Sequence, residues 1–212
     1  MNAENYSILI VDDHPIVSNG LATLIGKQEN AVCTTANTLN ELESLLVSKS
    51  FDLCIMDMEL PETNGFELIH LLHKRMPTCN ILIYTMHEEP WIAAKLQEPY
   101  IHQLLSGAIS KHATAEEICT AIRTIQNGKT YFGKPFSALP AQTADIHRKR
   151  FWALSEREKK VFAYLTEGLS TTEIAQRMYL SVNTIQTYRA RLLDKMDAKN
   201  VAELVCKGKW LL

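Results

Sequence analysis

The 212 residues are 46% hydrophobic and 22% charged, an ordinary globular composition with room for one or two domains, and no apolar run approaches the roughly 20 residues of a membrane-spanning helix. The formal charge of −2 hides two opposed halves: residues 1–147 carry 9 basic and 17 acidic side chains, residues 148–212 carry 13 basic and 7 acidic ones. Net charges of −8 and +6 suggest two domains with different partners, the basic one facing a polyanion.

The start, Met1-Asn2-Ala3-Glu4-Asn5, has no basic stretch leading into an apolar one, so no secretory signal is expected. Ser7-Ile8-Leu9-Ile10-Val11 reads as a buried strand, short, β-branched and ended by charges. Pro15 suits the first turn of a helix, where its missing N–H costs nothing, and Ile16, Val17, Gly20, Leu21, Leu24 and Ile25 are expected to form one face of that helix. Thr38 with Glu41 makes a capping box that opens a helix through Leu42, Leu45 and Leu46. Phe51 to Met56 is another buried strand, and Gly65 to Met76 is a helix with a stripe of Phe66, Ile69, Leu72 and His73. Ile81-Leu82-Ile83-Tyr84 is a further strand, and Ile109-Ser110 is a candidate for the last one. Thr114 with Glu117 is a second capping box, and Gly128 is a helix stop. Near-continuous apolar strands between helices imply an α/β domain, a doubly wound, parallel, five-stranded sheet covered on both faces, over residues 1–128.

From 129 to 150 the pattern fades: Gly133, Pro135 and Pro140 break regularity, and the segment reads as a linker. Beyond it, residues 151–212 read as a second, smaller, all-α domain. Ser155 with Glu158, Ser170 with Glu173 and Asn200 with Glu203 are capping boxes or close relatives, and Ser181 is a further helix start. Four short helices follow, at about 156–166, 171–178, 182–196 and 200–210. The five cysteines (33, 54, 79, 119 and 206) are scattered, odd in number and without a CxxC pair, which points to structural thiols in a reducing cytoplasm.

Chemistry gathers at the strand ends. Asp12 and Asp13 follow the first strand, Asp57 follows the strand that ends at Met56, Thr85 lies just past Tyr84, and Lys111 follows Ser110. Ligands of an open parallel sheet bind outside the carboxyl ends of its strands, so three acids, a hydroxyl and an amine should crowd one site. Taken singly, each has a plainer role: an Asp at a strand end is usually a turn former or cap, a Thr a cap, a Lys a solvated charge. Together they suit phosphoryl transfer to a carboxylate. Acidic oxygen clusters prefer Mg²⁺, Asp57 is placed as nucleophile, Lys111 and the metal would neutralise the transferred group, and Thr85 could hydrogen-bond it.

The segments Val11-Asp12-Asp13-His14-Pro15, Asp57-Met58-Glu59-Leu60-Pro61-Glu62-Thr63-Asn64-Gly65, Tyr84-Thr85 and Gly107-Ala108-Ile109-Ser110-Lys111 resemble the receiver domain of two-component response regulators, over about residues 5–128. The resemblance implies a flavodoxin-like fold, Asp57 as phosphoacceptor, and Mg²⁺ held by Asp12, Asp13, Asp57 and the backbone carbonyl of Glu59. Thr85 and Lys111 would be the switch pair. Two departures stand out. Receivers usually carry Tyr or Phe three residues before the lysine, where this chain has Ala108, and the stretch from Thr85 to Lys111 holds Pro90, Trp91, Pro99 and Tyr100, in which no fourth helix is assigned.

In the basic domain, two short helices joined by a tight turn follow a helix-turn-helix plan. On the helix from Val182 to Met196, Ile185, Leu192 and Met196 share one face, flanked by Tyr188 and Leu193. The opposite face shows Asn183, Gln186, Thr187, Ala190, Arg191 and Asp194. Gln can read adenine and Ala can touch a thymine methyl, while Arg189, Arg191, Lys195 and Lys199 suit phosphates. A plain amphipathic helix would look much the same. Leu154-Ser155-Glu156-Arg157-Glu158, Glu173-Ile174-Ala175 and Thr184-Ile185 resemble the LuxR-type helix-turn-helix of the NarL/FixJ group of response regulators, over about residues 150–212. That resemblance implies DNA contacts from Asn183, Thr184, Gln186, Thr187, Arg189, Ala190, Arg191 and Lys195.

The expected function is a phosphorylation switch: a sensor histidine kinase phosphorylates Asp57, and the active form, a homodimer, binds double-stranded DNA to control transcription, with no membrane partner. Enzyme activity is expected only as self-phosphorylation and self-dephosphorylation. A phosphatase using an aspartyl-phosphate would need an acid two places after Asp12 or Asp13, where His14 and Pro15 stand. A DNA-binding regulator controlled by a ligand or partner instead of phosphate stays open, on Ala108 and the stretch Trp91–Tyr100.

Overall fold

The computed structural model describes residues 6–28, 31–61, 63–137 and 154–209. The chain divides into two compact units, Met1–Ala141 and Gln142–Leu212. No helix among the described residues is long and apolar enough to cross a membrane.

The first unit alternates strand and helix: β1 (Tyr6–Val11), α1 (Pro15–Gln28), β2 (Ala31–Ala36), α2 (Leu39–Ser48), β3 (Leu53–Met56), the two-residue pair β4 (Glu59–Leu60) and β5 (Thr63–Asn64), α3 (Gly65–Arg75), β6 (Asn80–Thr85), α4 (Pro90–Leu96), α5 (Pro99–His102), β7 (Gly107–Ser110), α6 (Ala115–Gln126), β8 (Tyr131–Phe132) and α7 (Lys134–Ser137). The main sheet runs β2-β1-β3-β6-β7-β8, and every pair in it is parallel. Ile8, Ile10, Leu53, Ile55, Leu82 and Ile109 pack with Leu21 and Ile25 of α1 and Ile118, Ile122 and Ile125 of α6. The strand residues of opposite parity, among them Leu9, Cys54, Met56, Ile83 and Ala108, are buried as well. Side chains alternate across a strand, so burial of both sets means that both faces are covered.

The four strands placed from the sequence are present, β2 completes the expected five-stranded, doubly wound sheet, and a sixth strand is added. Residues 131–137, expected as the start of the linker, form β8 and α7 on the sheet edge. Tyr131 N–H donates to the Ser106 carbonyl at 2.9 Å and Gly133 N–H to the Ala108 carbonyl at 2.8 Å. Phe136 of α7 is fully buried, and the Gln97 amide donates to its carbonyl. A two-residue strand carries no readable period, and Gly133 with Pro135 looked like breakers. The rest of the expected linker, 138–150, lies outside the described residues.

Two other expectations change. Ile16 is 89% exposed and Gly20 is also exposed, so α1 packs through Ser18, Leu21 and Ile25, with Val17 and Leu24 beside them. The unassigned stretch before β7 is two short helices, each with Pro in its first turn, where the ring fits and no donor is lost. Cys33, Cys54, Cys79 and Cys119 are free thiols.

The second unit is α8 (Glu156–Thr166), α9 (Thr171–Met178), α10 (Val182–Lys195) and α11 (Val201–Lys209). Each start is capped as read from the sequence: Ser155 and Ser170 form reciprocal boxes with Glu158 and Glu173, the Ser181 hydroxyl accepts the Thr184 N–H, and Asn200 accepts the Glu203 N–H. Val161, Phe162, Leu165, Ile174, Ile185, Leu192, Met196 and Leu204 make one core.

Candidate functional site

The strand order reverses between β1 and β3, and this switch point places the carboxyl ends of the two strands side by side. Asp12 leaves β1 at 2% exposure and Asp57 leaves β3 at 6%. The Asp57 N–H donates to the Val11 carbonyl at 2.9 Å, which locks the two strand ends together. Gly65 is needed directly behind: a Cβ there would lie 2.6 Å from the carbonyl oxygen of Met58, the residue after Asp57.

Lys111 enters from the end of β7. Its N–H donates to the Thr85 carbonyl at 2.8 Å, and its ammonium lies 2.6 Å from Asp12 Oδ2 and 2.7 Å from Asp57 Oδ2. Burial alone would lower the Lys111 pKa, but hydrogen bonds and charges from Asp12 and Asp57 outweigh it and hold the amine above its ordinary value. The ammonium is therefore a fixed positive charge between two buried carboxylates. The Asp57 carboxylate is aimed by its second oxygen, Oδ1, which accepts the Met58 N–H at 2.6 Å.

Of the five expected residues, the structure brings Asp12, Asp57 and Lys111 into direct contact. Asp13 is adjacent and half-buried, and its Oδ1 lies 2.6 Å from His14 Nδ1. Ligand atoms of Asp12, Asp13 and His14 lie within 4.8 Å of one another. Together with Asp57 they form an oxygen-rich set that fits a hard divalent cation such as Mg²⁺. Thr85 is fully buried at the end of β6, and its hydroxyl accepts the His87 N–H at 3.2 Å. Glu59 opens β4, and its carboxylate lies 3.1 Å from His87 Nε2.

Sequence reasoning gave no role to three neighbours. His87 sits between Glu59 and Glu89, at 3.1 and 3.3 Å. Asn37 at the end of β2 donates to the Asp12 carbonyl at 2.6 Å and to the Ser18 hydroxyl at 2.8 Å, holding the β1–α1 turn. Ser110 donates to Glu88, tying the residue before Lys111 to the loop after Thr85. His14 stood next to the acid pair and His87 two residues after Thr85, so proximity in sequence was the available signal. Ala108 is fully buried and pairs with Phe132 of β8, whose ring stacks on His102 at 4.7 Å.

In the second unit α10 buries Ile185, Leu192 and Met196 and leaves Asn183, Gln186, Thr187, Ala190, Arg191 and Asp194 exposed. The other three expected contacts are engaged within the domain. The Thr184 hydroxyl lies 2.8 Å from that of Ser181 in the cap. Arg189 donates to the Thr171 hydroxyl, and Lys195 Nζ lies 2.8 Å from the buried carboxylate of Glu158.

Residues 8–123 match the family described as the response regulator receiver domain, and residues 153–207 match the luxR family of bacterial regulatory proteins. The methanol utilization control regulatory protein MoxX of Paracoccus denitrificans is 30% identical over 98% of this chain and 92% of its own. The transcriptional regulatory protein UhpA of Salmonella typhimurium is 29% identical over 93% of this chain and 95% of its own. Among solved structures, RcsB of Salmonella enterica serovar Typhimurium, bound to a promoter in the presence of a phosphomimetic, shares the fold. Its TM-score is 0.69, its identity 22%, and the match covers 99% of this chain and all of that one.

Proposed function

Because this chain belongs to the two-component response regulators that join a receiver domain to a LuxR-type DNA-binding domain, we propose that Asp57 is its phosphoacceptor and that phosphorylation there controls DNA binding by α10. The observation that carries this reading is the Lys111 ammonium bridging Asp12 and Asp57, two buried carboxylates at adjacent strand ends.

In the proposed reaction an Asp57 oxygen attacks phosphorus while the bond to the histidine nitrogen of a sensor kinase breaks. The Met58 N–H keeps the carboxylate plane fixed, and Lys111 neutralises charge on the incoming group. Asp12, Asp13, Asp57 and the Glu59 carbonyl would hold Mg²⁺, which when bound supplies further charge neutralisation. The new phosphoryl group carries roughly −1.5 to −2 of charge in place of the carboxylate's single negative charge. That charge draws Lys111 away from Asp12 and gives the buried Thr85 hydroxyl a new acceptor. Thr85 also accepts the His87 N–H, so its shift moves the loop leading to α4. The same pocket, supplied with water, returns Asp57 to its free form.

The DNA contacts fall on the exposed face of α10, with Asn183, Gln186, Thr187 and Ala190 toward the bases and Arg191 toward phosphate. A homodimer would set two such helices on half-sites about one helical turn apart.

Intact-mass measurement of wild type and Asp57→Ala after acetyl phosphate and Mg²⁺ tests the reading. A gain of one phosphoryl group by wild type alone is expected. No gain by either, repeated with a kinase donor, sinks the phosphorylation switch and favours a regulator controlled by a ligand or partner.

A further inference from the structure

Tyr179 closes α9 in the left-handed conformation, at φ 55° and ψ 44°, with its N–H donating to the last carbonyls of the helix. A residue with a Cβ is unfavourable there, and glycine or asparagine adopts the conformation most easily. The ring is 94% exposed, so it removes almost no apolar area from water, and the cap bonds, with Leu180 N–H donating to the Ala175 carbonyl at 2.9 Å, are backbone bonds that glycine or asparagine would make equally well. A strained, unburied aromatic side chain calls for a contact made outside the free fold.

The position says what that contact is. Tyr179 lies two residues before Ser181, the N-cap of α10, in the turn that delivers the helix whose outer face carries Asn183, Gln186 and Thr187. The surrounding segment is basic, at +6 over residues 148–212, so its natural counterpart is a polyanion. A tyrosine hydroxyl is among the side-chain donors that hold DNA phosphates, and the ring offers a flat apolar surface to the adjoining sugar. We propose that Tyr179 is a DNA-backbone contact, its hydroxyl donating to a phosphate at the edge of the groove that α10 enters. This rests on the reading of α10 as the DNA-binding helix.

The test uses the full chain and a mixed-sequence duplex at low salt, with and without acetyl phosphate and Mg²⁺, since a phosphate contact needs no particular sequence. Tyr179→Phe keeps the ring and the strain and should weaken binding about fivefold or more with an unchanged melting temperature. The slope of affinity against salt should stay constant, because a neutral hydroxyl releases no counterion. Tyr179→Asn should melt higher than wild type yet bind more weakly, two effects of opposite sign that a structural role cannot produce. Unchanged affinity in both variants overturns the assignment and leaves the ring to a protein partner. Melting temperature and affinity falling together in Tyr179→Asn also overturns it, in favour of a structural residue. A wild type that binds no duplex in either state removes the reading of α10, and this one with it.

Discussion

The Lys111 ammonium lies 2.7 Å from Asp57 Oδ2, in a pocket where both side chains are at least nine-tenths buried. Asp12 shares the same cation at 2.6 Å. Removing one partner of a buried ion pair leaves uncompensated charge and costs roughly 3–5 kcal/mol. Lys111→Ala should therefore melt well below wild type in chelator. Added Mg²⁺ should restore much of that loss, stabilising the variant more than wild type, because a cation again sits among the carboxylates. Calorimetry of both proteins with and without Mg²⁺ reads this out. An equal Mg²⁺ response would mean that lysine and metal do not share the site.

The edge strand β8 makes its own prediction. Gly107 sits against it, and a Cβ there would collide with the Tyr131 carbonyl. Gly107→Ala should detach β8 from β7 and expose the N–H groups of Tyr131 and Gly133, which donate to Ser106 and Ala108. Hydrogen exchange should show lost protection at these two amides while β1 and β3 stay protected. Retained protection would mean that β8 stays paired with β7 despite the added methyl group.

Much of this was legible because the relevant signals are local. Asp12 and Asp57 sit directly after apolar runs, and each cap needs only a hydroxyl or amide three residues before its partner, as at Ser155 and Glu158. The unread parts depend on partners remote in sequence or on elements too short to have a period. β8 is two residues long. Ile16 looked apolar and helical, yet the buried positions of α1 are 18, 21 and 25, and Ser18 fits there because Asn37 meets its hydroxyl. Lys195 is expected at a phosphate, and the Glu158 partner it has within the domain lies 37 residues away in sequence, beyond any local signal.

Glu158 links stability to pH. Its side chain is 3% exposed and its carboxylate accepts the Ser155 N–H at 2.8 Å and Lys195 Nζ at 2.8 Å. Burial would raise its pKa, but the Lys195 and Ser155 hydrogen bonds prevail and hold it below the usual value. A depressed folded pKa means stability that is present above the unfolded value of about 4.3 and is lost as pH falls through the lower folded value. Glu158→Gln should thus cost about 1–3 kcal/mol at neutral pH. The gap from wild type should narrow when the pH is taken well below about 4.3. Circular-dichroism melts of the full chain at the two pH values check this, and a gap that persists in acid would assign the loss to packing.

Arg191 and Lys195 are one helical turn apart on α10 but differ in setting. Arg191 is exposed, whereas Lys195 neutralises the buried Glu158 carboxylate. Each cation that neutralises a phosphate steepens the dependence of affinity on salt, by about 0.9 in the log–log slope. Arg191→Ala should flatten the slope by about that amount, weaken binding evenly across sequences and leave the stability within about 0.5 kcal/mol of wild type. Lys195→Met should do the reverse: it strands Glu158 and lowers stability, while the slope changes little. Salt titrations of duplex binding beside melts of both variants separate the two roles. An equal loss of slope would show that Lys195 leaves Glu158 for a phosphate when DNA binds.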